Sequence, residues 1–215
     1  MQFVRFINKI RDRKYFTHAQ YEKWLKSISK YKILPLNEFA KYHNDNEVVI
    51  GLRHDSDRNF SSTVSLLDVE YNNFVRSSLY VLHTADYYKD RKFTYTLTQL
   101  QDKGFEIGLH QDCMSSLCPK GIMHKALKRL RDSGLNIIGT SAHGDKEHKN
   151  ITFWDYFDKS DFGLEYESYS LNHTKYFSDC TFIDGHRWHP GLFDWDSLKP
   201  GERVLVTLHP EHWRP

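Results

Sequence analysis

Between residues 47 and 110 the apolar positions of the chain change period several times. "VVIGLRHD" opens with an unbroken apolar run and predicts a strand covered on both faces. "FSSTVSLLDVEYNNFV" follows, with Val64, Leu67, Tyr71 and Phe74 at spacings of three and four, and predicts a helix. "SSLYVLH" predicts a strand, "TYTLTQLQDKG" a helix ended by Gly104, and "FEIGLHQD" another strand. The alternation continues through the helix "IMHKALKRLRDSG", the strand "NIIGTSAHG" and a last strand, "RVLVTLHPEHW". Glycine just past a helix is a stop signal because it takes left-handed backbone without steric cost. Residues 150–198 show no clear period, are rich in aromatics and predict short strands and loops. Repeated βα units predict an α/β domain, a parallel sheet with helices packed outside it.

The strand ends are unusual. The first delivers His54-Asp55-Ser56-Asp57, the third His110, the fourth His143 and the last His209. One Asp at a strand end is explained by turn chemistry, and Asp57 would equally cap a helix beginning near Asn59. Four ends carrying Asp or His are different. In a parallel sheet the carboxyl ends lie on one side, where sites are built, so these residues predict a shared site. His124, on the basic helix, and His43, in a polar loop, receive no role.

Composition narrows the classes. The 215 residues suit one domain, with a helical extension over 1–31 and a core over 32–213. The 30 basic and 28 acidic residues leave a charge of +2, which gives no electrostatic case for nucleic acid or an anionic membrane. The basic run "HKALKRLRD" reads as the solvated face of its helix. Aromatics make up 15% and serve a packed core or a sugar-stacking groove equally. Three cysteines argue against a disulfide framework. "MQFVRFINKIRDRKYF" lacks the apolar centre of a secretion signal, and no window is long and apolar enough to span a bilayer, so a cytoplasmic protein is expected. Phe3, Phe6, Ile7 and Ile10 share a helical face, read as docking on the domain itself.

"RHDSD", "FEIGLH" and "LVTLH", in that order, resemble motifs of the polysaccharide deacetylase family, carbohydrate esterase family 4 with its NodB homology domain. A divergent subset is closer still. It has an "RHDVD"-like start, an "EIGxH" strand, an "HG" strand end, a "Y-x-x-D…R-W" segment and a terminal "HP-x-x-W". Here these are Arg53 to Asp57, Glu106 to His110, His143-Gly144, Tyr176 to Trp188 and His209 to Trp213. The chain departs from the main family in having Met114 four residues after His110, where a second histidine is usual, and "TSAHGD" in place of an Arg-x-Pro-Tyr motif.

The resemblance implies a distorted (β/α) barrel and a metal-dependent hydrolase that removes an acetyl group from an N-acetylated sugar or glycan intermediate. It implies Asp55 as base, His209 as acid, and Asp57 and His110 as ligands of a divalent ion, zinc by ligand type. With Met114 in the motif, His143 is the expected third ligand and Asp112 the alternative. Arg53 and Arg187 orient Asp55 or substrate, or form buried ion pairs. Trp188, Trp195 and Trp213 stack on sugar, or belong to the core. Hydrolysis of another C–N bond and a non-catalytic carbohydrate-binding domain are the alternative functions.

Overall fold

A computed structural model describes residues 16–144, 147–183 and 186–215. The described chain runs β1 (Phe16–Thr17), α1 (His18–Ser27), β2 (Lys32–Leu34), α2 (Leu36–Phe39), β3 (Val49–Ser56), α3 (Phe60–Asn72), β4 (Ser78–Leu82), α4 (Arg91–Asp102) and β5 (Glu106–Gln111). It continues with α5 (Pro119–Arg131), β6 (Gly139–Ala142), α6 (Phe153–Tyr156), β7 (Tyr166–Glu167), β8 (Lys175–Ser178), β9 (Phe182–Ile183), β10 (His186–Arg187), β11 (Arg203–Leu208) and β12 (Trp213–Arg214).

The central sheet is parallel, with order β7-β6-β5-β4-β3-β11-β8. Strand β3 divides one edge between two neighbours. Its first half pairs with β2, Leu34 opposite Gly51, and its second half with β4, Arg53 opposite Ser78. All eight residues of β3 are buried, as expected of a strand covered on both faces.

The sheet curls into a distorted, half-closed (β/α) barrel, and contacts across its interior show the curvature. The Tyr80 hydroxyl on β4 lies 2.9 Å from that of Tyr166 on β7, three strands away. Arg53, fully buried on β3, donates from Nε to Thr207 Oγ1 at 2.7 Å and from Nη1 to Ser141 Oγ at 2.9 Å, and also bonds Ser168 beyond β7. Gly108 on β5 leaves room for the Tyr80 ring; a Cβ there would overlap it. Leu34, Leu36, Phe39, Val49 and Leu205 close the lower end of the interior with these two tyrosines. Outside the sheet, α4 and α5 cover β4 and β5, and α1 and α3 cover β3 and β11.

Helix ends follow local chemistry. Asn59 caps α3 by accepting from the backbone N–H groups of Ser61 and Ser62, and Gly104 and Gly134 take φ of +93° and +87° after α4 and α5. The stripe expected for α3 is displaced. Thr63, Leu66, Leu67 and Glu70 are buried, while Tyr71 is 41% and Phe74 94% exposed. The buried face is rotated because the outer side of β3 carries His54 and Ser56, which need Glu70 and Thr63 opposite them. Phe74 instead ends the helix in left-handed backbone, φ 59°.

Helix α1 packs into the core through Tyr21, Trp24 and Leu25, and β1 pairs with β12. The residues from 16 onward are therefore continuous with the barrel wall. The face formed by Phe3, Phe6, Ile7 and Ile10 lies outside the described residues. The last strand is shorter than predicted. It stops at Leu208, and Pro210–His212 form a 3-10 turn because Pro210 has no N–H for the ladder. Among the described residues no helix is long and apolar enough to cross a membrane.

Candidate active site

The carboxyl ends of β3, β5, β6 and β11 converge as the strand order requires. Asp57 follows β3 directly. One carboxylate oxygen lies 3.4 Å from His110 Nε2, and the other lies 4.0 Å from His143 Nε2 and 4.0 Å from His209 Nε2. Burial opposes the charge on Asp57, but the three imidazoles outweigh it and hold the carboxyl down at about 2. Asp57, His110 and His143 each present a ligand atom within 4.8 Å of the others, a spacing one ion can bridge.

Each of these side chains is set from behind. His110 Nδ1 meets the Ser141 carbonyl at 3.0 Å, an arrangement that makes Nδ1 the donor and leaves Nε2 a lone pair toward Asp57. His143 extends from the end of β6 with its N–H donating to the Gln111 carbonyl at 2.8 Å, and its ring stands edge-on to His110 with centroids 5.2 Å apart. The donor set, one carboxylate and two imidazoles, therefore fits a divalent ion. Asp112, the alternative ligand, is turned away. Its Oδ1 accepts from Asn150 Nδ2 at 2.8 Å and its N–H donates to His83 Nε2 at 3.0 Å. Met114 packs against the apolar cluster under α5.

Asp55 sits inside the barrel mouth, 1% exposed. Its Oδ2 is 3.3 Å from Arg53 Nη2 and 3.9 Å from His110 Nε2, while its Oδ1 has no hydrogen-bond partner. Burial works against the Arg53 charge, but the Asp55 carboxylate keeps the guanidinium protonated, its pKa above the ordinary value. Arg53 thus both fills the barrel and forms an ion pair with Asp55.

His209 ends β11 against Asp179. Its Nδ1 is 2.6 Å from Asp179 Oδ1, and its backbone N–H donates to Asp179 Oδ2 at 2.9 Å. Burial would lower the imidazole pKa, but the Asp179 carboxylate raises it well above the usual value, with Cys180 Sγ 3.3 Å away adding to the effect. Asp179 itself is fully buried. His212 Nδ1 and the Trp213 indole nitrogen lie 3.1 and 3.2 Å from its Oδ2. Sequence reasoning gave Asp179 no role, although it is the Asp of the "Y-x-x-D" motif. Asp179 follows the short edge strand β8, which the sequence pattern did not reveal as a strand.

Arg187 does not reach Asp55. It donates from Nη1 to the Asp179 carbonyl at 2.7 Å and lies 3.2 Å from His212 Nδ1. The three tryptophans expected to stack on sugar are buried. Trp188, 2% exposed, stacks on Phe177 at 5.0 Å, and Trp213, also 2% exposed, packs against Phe16 and Tyr21 while bordering the cavity beside Asp57 and His209. Trp195 is likewise buried beside Trp24. The aromatic that reaches the site's cavity in the open is Phe182, 55% exposed. That cavity, about 560 Å³, is bordered by Asp57, His209, Arg187, Glu211 and Phe182 among others. Glu211 carries a raised pKa, first from burial and then from the nearby Asp57 carboxylate.

No family model matches the chain, and no curated protein matches it. The solved structures to which it is similar include carbohydrate esterase family 4 proteins and peptidoglycan deacetylases. One is a mutant of a CE4 family pseudoenzyme with restored enzymatic activity, 16% identical over 75% of this chain and 56% of that one, with a TM-score of 0.48. The chain thus spans little more than half of that protein's length. Another is the Xyl-CE4 domain of a multidomain xylanase from the hindgut metagenome of Trinervitermes trinervoides, 14% identical over 77% and 74% of the two chains, TM-score 0.48. A third is a peptidoglycan N-acetylglucosamine deacetylase, 13% identical over 85% and 79%, TM-score 0.47.

Proposed function

We propose that the chain is a metal-dependent hydrolase that removes an acyl group, in the first instance acetyl, from an N-acetylated sugar or glycan intermediate. One observation carries the reading: the Asp57 carboxylate lies within 3.4–4.0 Å of three imidazole nitrogens, beside the buried Asp55 whose Oδ1 has no partner. A purely structural cluster would satisfy such an oxygen.

Asp57, His110 and His143 would hold the ion, which would supply Lewis acidity when bound. The chain's own groups divide the proton transfers. Asp55 accepts a proton on Oδ1 as water attacks the amide carbon, while Arg53 fixes its other oxygen at 3.3 Å. His209, kept protonated by Asp179, donates from Nε2 to the departing nitrogen. An amine leaves poorly until protonated, so an acid is needed, and here β3 and β11 deliver the base and the acid as separate groups. The purified protein should contain about one divalent ion per chain and release acetate from at least one member of a panel of N-acetylated glycans. A protein free of metal after zinc saturation, inert on the whole panel, would overturn the reading.

A further inference from the structure

The chain places a thiol beside its proton donor. Strands β8 and β11 run parallel with Ser178 opposite Thr207, and two residues beyond that pair stand Cys180 and His209. The Cys180 Sγ lies 3.3 Å from His209 Nδ1 and 3.5 Å from Nε2. The turn that carries it is fixed. The Cys180 N–H donates to Ser178 Oγ at 3.2 Å, and the Asp179 N–H to the Thr207 carbonyl at 3.3 Å. Asp179 adds a carboxylate, with Oδ1 2.6 Å from His209 Nδ1. Asp179, Cys180 and His209 thus each offer a ligand atom within 4.8 Å of the others, as Asp57, His110 and His143 do in the first cluster. The two clusters adjoin, since His209 Nε2 is 4.0 Å from Asp57 Oδ2. They differ in donor type: the first has only oxygen and nitrogen, and the second has sulfur. Cys180 is exposed on the cavity wall, with Asp179 and His209 buried behind it, so an ion arriving from the cavity meets the sulfur first. The proposed hydrolysis makes no use of this thiol.

We propose that Asp179, Cys180 and His209 form a second metal site, selective for thiophilic divalent ions such as cadmium or zinc in excess, and that an ion there withdraws His209 from proton donation. Thiolate, imidazole and carboxylate are all ligands of zinc, and sulfur shifts the preference toward soft ions and away from magnesium, calcium and manganese. Binding releases the thiol proton and a His209 proton to solvent, because both atoms ligate only when deprotonated. Bonds to the ion replace the hydrogen bond that Asp179 and His209 now share. An imidazole held in this way is no longer the charged acid that a departing amine requires, so occupation inhibits. That consequence rests on the proposed hydrolase; the site itself does not.

The test is titration of the zinc-loaded protein with cadmium, followed by the ultraviolet charge-transfer absorption of a cadmium–thiolate bond, with acetate release measured on the same samples. The first cluster holds no sulfur, so cadmium exchanging there adds nothing to this band. The parent should develop the band, and Cys180→Ser should lose it. Cys118→Ser, which removes the other exposed thiol, should keep it, and His209→Asn should weaken cadmium binding about ten-fold or more. Turnover of the parent should fall as the band grows, and the same additions should inhibit Cys180→Ser less. Exchange at the first cluster is common to both proteins, so the difference reports the second. No band in the parent, a band that persists in Cys180→Ser, or equal cadmium affinity in His209→Asn overturns the site. Equal inhibition of the parent and Cys180→Ser overturns the withdrawal of His209. A Cys180-dependent band in a protein inert on every N-acetylated substrate leaves the metal site standing and removes the hydrolase.

Discussion

His54 lies on β3 and Asp57 just past its end, three residues on, and their surroundings could hardly differ more. His54 faces the helix layer. Its Nε2 meets Glu70 Oε1 at 2.5 Å, the Tyr21 hydroxyl shares that oxygen, and Ser77 Oγ donates to the other at 2.5 Å. All four residues are fully buried. Asp57 faces the barrel mouth, partly exposed, with imidazoles at distances too long for good hydrogen bonds and suited to an ion between them. Both clusters are built from carboxylate and imidazole. One closes both oxygens of its carboxylate internally, with only His54 Nδ1 left without a hydrogen-bond partner, and cements α1 and α3 to the sheet; the other holds its acceptors toward a cavity. The difference teaches that residue type nominates a site, while the closure or opening of the bonding pattern decides it.

The sharpest way to break this comparison is at the carboxylates of β3. Asp57→Asn should lose bound metal and turnover together, whereas Asp55→Asn should keep the metal and lower turnover by about 10²–10⁴-fold. Elemental analysis and acetate release read both, and full metal retention by Asp57→Asn would remove it from the ligand set. The buried cluster should respond in the opposite currency. Glu70→Ala strands the His54, Tyr21 and Ser77 donors in the interior and should cost about 3–5 kcal/mol of unfolding free energy in denaturant titration. Its folded fraction should bind metal as the parent does; if metal is lost while stability is kept, the two clusters are not separate.

A smaller effect sharpens the ligand set. His143→Ala should weaken metal binding about ten-fold or more in chelator competition, and Asp112→Ala, whose carboxylate is occupied by Asn150, should leave it unchanged. The reverse pattern would exchange the two assignments. The smallest expected change lies at the end of α3, remote from the site. Phe74 is exposed in left-handed backbone, with the Val75 N–H donating to the Glu70 carbonyl. Phe74→Gly should raise stability by about 1 kcal/mol. A loss instead would mean that the Phe74 side chain contributes packing the exposed position does not suggest.

Much of the barrel is written locally. Unbroken apolar runs made β3, β4, β5 and β11 legible, glycines marked the ends of α4 and α5, and the βα alternation predicted parallel order. From that order alone, His110, His143 and His209 had to share a side with Asp55 and Asp57. Period two within "RHDSD" already separated Arg53, Asp55 and Asp57 from His54 and Ser56, but which set faced the site required knowing where the helices lay. The same is true of α3, whose buried stripe follows the polar partners Glu70 and Thr63, not its most apolar positions. Asp179 stayed hidden because it follows an edge strand of four residues that pairs only through β11. Trp188 looked available for sugar because composition cannot tell a core aromatic from a platform, Trp213 is buried yet borders the cavity, and Phe182 drew no notice at all. Local pattern fixes period and strand ends, since these depend on neighbours a few residues away. Which side chains close on one another and which open into the cavity depends on strands and helices far apart in sequence, and only the curled sheet brings them together.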